Sequence, residues 1–280
     1  MASFSVVTNI GALNAHNQLV GTERHLQTTI NRLSSGLRIN GAKDDAAGLA
    51  IAENLRADVQ GLNQAVRNAN DGISVINVAD SALGEIANLL HRAMTLAEQS
   101  ASDTSGADSG TAKTAINSEY TQILSEIDRI ASTVQFNGLQ LLSGSGATID
   151  VQVGLASSSD DRIAITTVGI SASSLGLTSD SLLTASDSRT ELEAIQTAID
   201  DVSGNRGDLG AYYNRLEHTI AVISVQAENL QAAESQIRDA NIAMEVVNLT
   251  KYQVLNQTGL SALAQANSTS QSVLSLLRGG

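Results

Sequence analysis

A chain of 280 residues with 16 Lys and Arg against 29 Asp and Glu carries a net charge of −13, which excludes a basic phosphate-binding face and with it a nucleic-acid partner. Proline, cysteine and tryptophan are absent, and two Phe and four Tyr are the only aromatics besides the histidines, too few for a thick globular core or for base stacking. Without cysteine there are no disulfides, thiolate metal sites or thiol chemistry, and at a prior of about 150 residues per domain the length suits two packed units.

The N-terminal stretch MASFSVVTNIGALNAHNQLVGTERHL has no basic segment followed by a continuous apolar run, so no cleaved secretory signal is expected. No run of about 18 apolar residues predicts membrane insertion. Residues 1–37 carry Ile10, Leu13, Val20, Leu26, Ile30, Leu33 and Leu37, an amphipathic pattern with no neighbour in sequence to cover it. A heptad seam follows. Leu55, Leu62, Ala69, Ile76, Leu83, Leu90 and Ala97 recur every seven residues, with Val59, Val66, Ile73, Asp80, Ala87 and Met94 at an offset of four. Sustained phase of this kind predicts a long helical rod. Asp80 alone breaks the apolar series. A carboxylate buried there without a partner is costly, so it is expected at a hydrated end of the contact or paired with an Arg or Lys, the alternative being an exposed break.

A shorter helix is predicted after the turn-rich stretch 102–110, on Ile116, Tyr120, Ile123, Ile127, Ile130 and Val134. Residues 143–190 then change to Ser, Thr, Gly and Asp. Within them IDVQV (149–153) and RIAIT (162–166) alternate at period two and predict a β-hairpin, with an ordered Ser-rich loop as the alternative. Lacking the seam pattern, this segment is expected to face outward and tolerate substitution. A second rod holds phase on Ile195, Val202, Leu209, Leu216, Ile223, Leu230, Ile237 and Met244, with Leu192, Ile199, Arg206 and Tyr213 opening the companion series. Gly204, Gly207 and Gly210 each cost about 1 kcal/mol in a helix and can mark a loop, but the unbroken phase favours continuity. Residues 250–278 mirror the N-terminus with Val254, Leu255, Leu260, Leu263, Val273, Leu274, Leu276 and Leu277. A helix pair this thin is marginal in water and gains by burying its faces against copies of the same molecule. The expected fold is mainly α: an elongated antiparallel helical bundle or coiled coil with a small β-hairpin, plus a terminal helix pair. Residues 1–40 and 250–280 are expected to form a terminal helical domain and 41–249 a core rod domain.

The residues offer no catalytic chemistry. His16, His25, His91 and His218 are far apart, and none is placed to share a metal with another. Asp44-Asp45 and Asp200-Asp201 are adjacent on helical pattern and point to different faces. No dinucleotide or phosphate-loop motif occurs. The sequons at Asn248, Asn256 and Asn267 fall on helical pattern. No enzyme, cofactor or metal is expected.

NRLSSGLRINGAKDDAAGLAIAENL (31–55), QFNGLQLL (135–142) and SALAQANSTSQSVLSLLR (261–278) closely resemble bacterial flagellin, over about 1–142 and 191–278. The resemblance implies a structural subunit that polymerises into the flagellar filament and transmits motor torque for swimming, the two chain ends forming the inner tube. Only the short Ser-rich segment stands where the family inserts outer domains, so the chain looks like a short form. It departs at the tail, where Gly279 and Gly280 follow the usual terminal Leu-Leu-Arg. The terminal residues Ile10, Leu13, Val20, Leu26, Ile30, Leu33, Leu37, Leu260, Leu263, Val273, Leu274 and Leu277 then become polymerisation contacts. Expected partners are many copies of the chain itself, the flagellar type III export apparatus and an export chaperone, and hook-associated and cap proteins. Export implies secretion to an extracellular filament, and a chain without disulfides or proline isomerisation suits passage unfolded. Sugars O-linked to the Ser/Thr segment are also implied. So is sensing by a host Toll-like receptor, for which His91–Ala97 matches the family's stretch: Arg92 and Leu96, at i and i+4, are expected to share an outward face with Glu119 nearby. The alternative for that face is subunit packing alone. The runner-up function is a hook-filament junction protein. A coiled-coil signalling module needs a sensor or membrane segment that the sequence does not offer.

Overall fold

The computed structural model describes residues 8–278 except 106 and 180, without the side chains of 105 and 273–278. The fold is mainly α, with two small antiparallel strand pairs. Helices α1 (Ile10–Ser35), α2 (Ala46–Ala101), α3 (Thr111–Thr133), α4 (Ala185–Arg238) and α5 (Ile242–Arg278) follow one another, with strands β1 (Gln135–Phe136), β2 (Leu139–Gln140), β3 (Thr148–Gln152) and β4 (Arg162–Thr166) between α3 and α4. The described chain forms two compact units, one from residues 1–57 with 229–280 and the other from 58–228.

In the larger unit α2 and α4 run antiparallel: Arg206 meets Asp80 at 2.7 Å and Arg189 donates to the Ala101 carbonyl at 3.3 Å. The seven-residue series of α2 is buried from Leu62 to Ala97. Its companion differs from expectation. Val59, Val66, Ile73, Ala87 and Met94 are only half-buried, whereas Ala65, Gly72, Ala79, Ile86, Ala93 and Ser100, at an offset of three, are buried throughout. The second line of the seam is made mostly of small residues, which let the neighbouring backbone close in. On composition α2 is long and apolar enough to cross a membrane, a property it shares with the core helices of bundles.

The two polar defects of the rods meet each other. Asp80 interrupts α2 and Arg206 interrupts α4, and the guanidinium reaches both carboxylate oxygens, as the pairing expectation required. The hydrogen bond to Asp80 also raises the pKa of Arg206. Helix α4 continues through Gly204, Gly207 and Gly210. It does not continue to Met244. The chain leaves the helix after Arg238, the Ala240 N–H donates to the Gly36 carbonyl at 2.9 Å, and the Asn241 side chain caps a new helix by accepting from Met244 N at 3.2 Å. Met244 is consequently exposed in the first turn of α5.

The β3–β4 hairpin forms in the register Thr148↔Thr166 to Gln152↔Arg162. Val151, Ile163 and Ile165 face inward and are buried. Gly72 of α2 admits them: a Cβ there would sit 2.9 Å from Val151 and 3.3 Å from Leu216 of α4. A second hairpin, β1–β2, turns on Asn137 (φ 49°) and Gly138 (φ 82°), the Asn-Gly pair that a two-residue turn with positive φ favours.

The expectation that residues 143–190 face outward is overturned after β4. Ile170, Leu175, Leu177 and Leu182 are buried. Their backbone is held by distant side chains: Asp128 accepts from Ala172 N at 2.8 Å, Asn117 from Leu182 N at 3.2 Å, and Glu191 from Thr178 N at 3.1 Å. Buried backbone amides need acceptors, and these come from α3 and α4 rather than from local periodicity, so the segment packs without a seam pattern. Tyr120, buried, donates to the same Glu191 carboxylate, and burial followed by that anion holds the phenol far above its ordinary pKa.

The α2–α3 connection is closed by Asp108, which accepts from Lys113 Nζ at 2.7 Å and from Ala185 N at 3.0 Å. Lys113 is buried while Asp108 is exposed. The bond from Lys113, then that from Ala185, hold the Asp108 carboxyl below its usual value. A depressed carboxylate contributes stability that is complete above its unfolded pKa and lost as pH falls through the folded one. Thermal melts taken between about pH 5 and pH 2 are therefore expected to decline less steeply for Asp108→Asn than for the parent protein below about pH 4. Parallel curves would remove Asp108 from the acid response.

Candidate assembly surface

The smaller unit is built on the pairing of α1 with α5. The two run antiparallel: Asn9 Nδ2 donates to the Ala266 carbonyl at 2.9 Å, His25 stacks on Tyr252 with centroids 5.3 Å apart, and Arg32 meets Glu245 at 3.3 Å. Leu19 seats against Gly259, where a Cβ would lie 3.2 Å from Leu19 Cδ1. Helix α1 stops at Gly36, whose φ of 73° places its N–H on the Arg32 carbonyl. The incoming and outgoing chains are then fastened together. Leu37 bridges Asp239, Arg38 N donates to the Arg238 carbonyl at 2.6 Å, and Arg238 pairs with Glu53 at 3.1 Å. These contacts lie within the compact unit of residues 1–57 and 229–280.

The pairing fully buries none of the expected apolar positions whose side chains are described. Ile10 and Leu13 are each 59 % exposed, Ile30 and Leu260 are exposed too, and Val20, Leu26, Leu33, Leu37 and Leu263 are half-buried. The side chains of Val273, Leu274 and Leu277 lie outside the described residues. Among the described residues of α1, the buried ones are Leu19 and Thr29, neither of them anticipated from the sequence. On α5, Val247, Val254 and Leu255 are likewise exposed. Arg32 Nε and Glu245 Oε2 are buried without a hydrogen-bond partner, so the Arg32–Glu245 ion pair across the two helices is incompletely satisfied.

The second expected surface is corrected. Arg92 and Glu119 do come together, with Nε and Nη2 of the guanidinium on one carboxylate oxygen at 2.9 and 2.6 Å, and both remain exposed. Leu96 does not share their face; it is 2 % exposed. The buried stripe of α2 is wider than the two heptad lines considered in the sequence: Ala93, Leu96, Ala97 and Ser100 are all buried.

Two long heptad helices and a thin terminal helix pair with exposed apolar side chains make up a mainly helical structural protein. The comparisons agree. Residues 6–147 match the family described as bacterial flagellin N-terminal helical region, and residues 192–277 match the bacterial flagellin C-terminal helical region. A flagellin of Halalkalibacterium halodurans is 43 % identical over 270 residues, covering 96 % of this chain and 98 % of that protein. The flagellar filament 33 kDa core protein of Treponema phagedenis is 43 % identical over 284 residues, with the same coverage. A crystal structure of Bacillus cereus flagellin is 32 % identical, with a TM-score of 0.47, covering 60 % of this chain and 94 % of that one. The chain belongs to the bacterial flagellin family. It is a structural, self-polymerising subunit of the flagellar filament, which extends outside the cell, and its relatives favour this over a junction role.

Proposed function

We propose that the apolar positions of α1 and α5, from Ile10 to Leu37 and from Leu260 to Leu277, are the contacts through which copies build the inner tube of the filament. Residues 1–40 and 250–280 then act as the terminal domain and 41–249 as the core rod domain. One observation carries this reading: Ile10, Leu13 and Leu260 remain exposed on a helix pair that buries little of itself. A thin pair of this kind gains most of its stability from packing onto something else, and head-to-tail packing of like chains extends without closing. Deleting residues 1–37 or 250–280 is expected to leave a helical monomer that no longer polymerises. Circular dichroism and sedimentation check this, and filaments formed by a truncated chain would overturn it.

The chain reaches its place by secretion through the flagellar type III apparatus with an export chaperone, and it meets hook-associated and cap proteins at the filament ends. The absence of proline and cysteine supports passage in an unfolded state. Recognition by a host Toll-like receptor, if it uses the α2–α3 face, rests on Arg92 and Glu119 without Leu96. In a reporter-cell assay monomeric Arg92→Ala is expected to signal several-fold less than the parent chain, and an equal response would remove this face from recognition.

A further inference from the structure

A candidate surface for a neighbouring copy lies in the larger unit. A groove of about 370 Å³ runs between α2 and the two hairpins. Its apolar lining includes Val75, Phe136, Leu139 and Ile149, and the exposed Asp71 stands at its side. Leu139 is 46 % exposed, which is uneconomic for a leucine on a two-residue strand unless something covers it.

The matching surface is on α4. Arg215, His218, Val222 and Val225 follow at steps of three, four and three, so they form one strip about 15 Å long on the helix. Leu216 and Ile223 hold the opposite, buried side. The strip faces outward: Val222 is 66 % and Val225 58 % exposed, and Arg215 and His218 are exposed with them. In a chain of net charge −13 this strip combines the cationic Arg215 with the apolar Val222 and Val225, and Glu217 flanks it on the helix. Neither Arg215 nor Asp71 belongs to any ion pair among the described residues.

We propose that the α4 strip of one copy docks in the α2–hairpin groove of the next, Val222 and Val225 covering Leu139 and its neighbours while Arg215 pairs with Asp71. Groove and strip are different parts of the same chain, so the contact is heterologous and repeats without closing, as an open helical polymer requires. The opposite charges fix its register. The inference rests on homopolymerisation and is independent of the terminal faces.

The absence of native cysteine makes the test direct. Leu139→Cys and Val225→Cys are prepared as separate single-cysteine chains, mixed, assembled and oxidised. A disulfide-linked dimer of the two variants is expected in the polymer, with neither variant forming it alone. Sedimentable polymer that yields no mixed dimer, or equal dimer from either variant by itself, would overturn the contact. Failure of homopolymerisation itself gives a different result, with no polymer from the parent chain. Arg215→Glu is expected to raise the concentration needed for assembly about tenfold, and combining it with Asp71→Arg to return it to within about twofold of the parent. Unchanged assembly of Arg215→Glu, or no recovery in the double variant, counts against the pairing.

Discussion

Ile86→Ala is expected to destabilise the monomer by about 3 kcal/mol in urea unfolding, whereas Met94→Ala costs about 1 kcal/mol. Ile86 is fully buried on the line of α2 that also contains Ala65, Gly72, Ala79, Ala93 and Ser100. Its neighbours on that line are too small to collapse into the space a truncated side chain leaves, so most of the cavity persists. Met94 sits on the half-buried line and already touches water on one side. The comparison decides which line of the heptad faces the bundle. Equal losses for the two variants would restore the offset of four.

Gly169→Ala is expected to cost about 3 kcal/mol, through overpacking against backbone rather than side chain. A Cβ at Gly169 would lie 1.7 Å from the Gly144 carbonyl oxygen, and one at Gly146 would lie 2.0 Å from that of Thr167. The strands leading to and from the β3–β4 hairpin cross there at a distance that only glycine permits. Nor can the crossing relax freely, because Ile170 N donates to the Leu142 carbonyl and Ala147 N to Thr167 Oγ1 at 2.9 Å each. A thermal midpoint for Gly169→Ala within about 2 °C of the parent would show that the crossing is softer than this.

The sequence made the large side chains of the fold legible and left its small ones hidden. Leucine and isoleucine at every seventh position announced both rods, and strict alternation announced the β3–β4 hairpin. Alanine, glycine and serine carry too little hydropathy to declare a buried line, so the heptad count points to an offset of four where the structure has three, and it turns Leu96 outward. Asn137-Gly138 carried a turn signal strong enough to place β1–β2, had the strands been longer than two residues each. The burial of Ile170, Leu175, Leu177 and Leu182 had no local signal, since Asn117, Asp128 and Glu191 hold their segment from positions remote in sequence. At the assembly surface the apolar terminal positions were evident, but their geometry depends on Leu19 entering the space beside Gly259 and on His25 meeting Tyr252. Both are contacts between residues more than two hundred apart, which no periodicity within one helix reports.

The bridge between Leu37 and Asp239 has a temporal side. It closes a loop of about two hundred residues, and the entropy of closure rises with the logarithm of that length. Neither α1 nor α5 gains its partner until the opposite end of the polypeptide is present, whichever end arrives first. A chain interrupted anywhere in its length therefore retains a lone, marginal helix and never forms the paired ends. Completeness of the polypeptide becomes a condition for pairing its two ends, a form of proofreading.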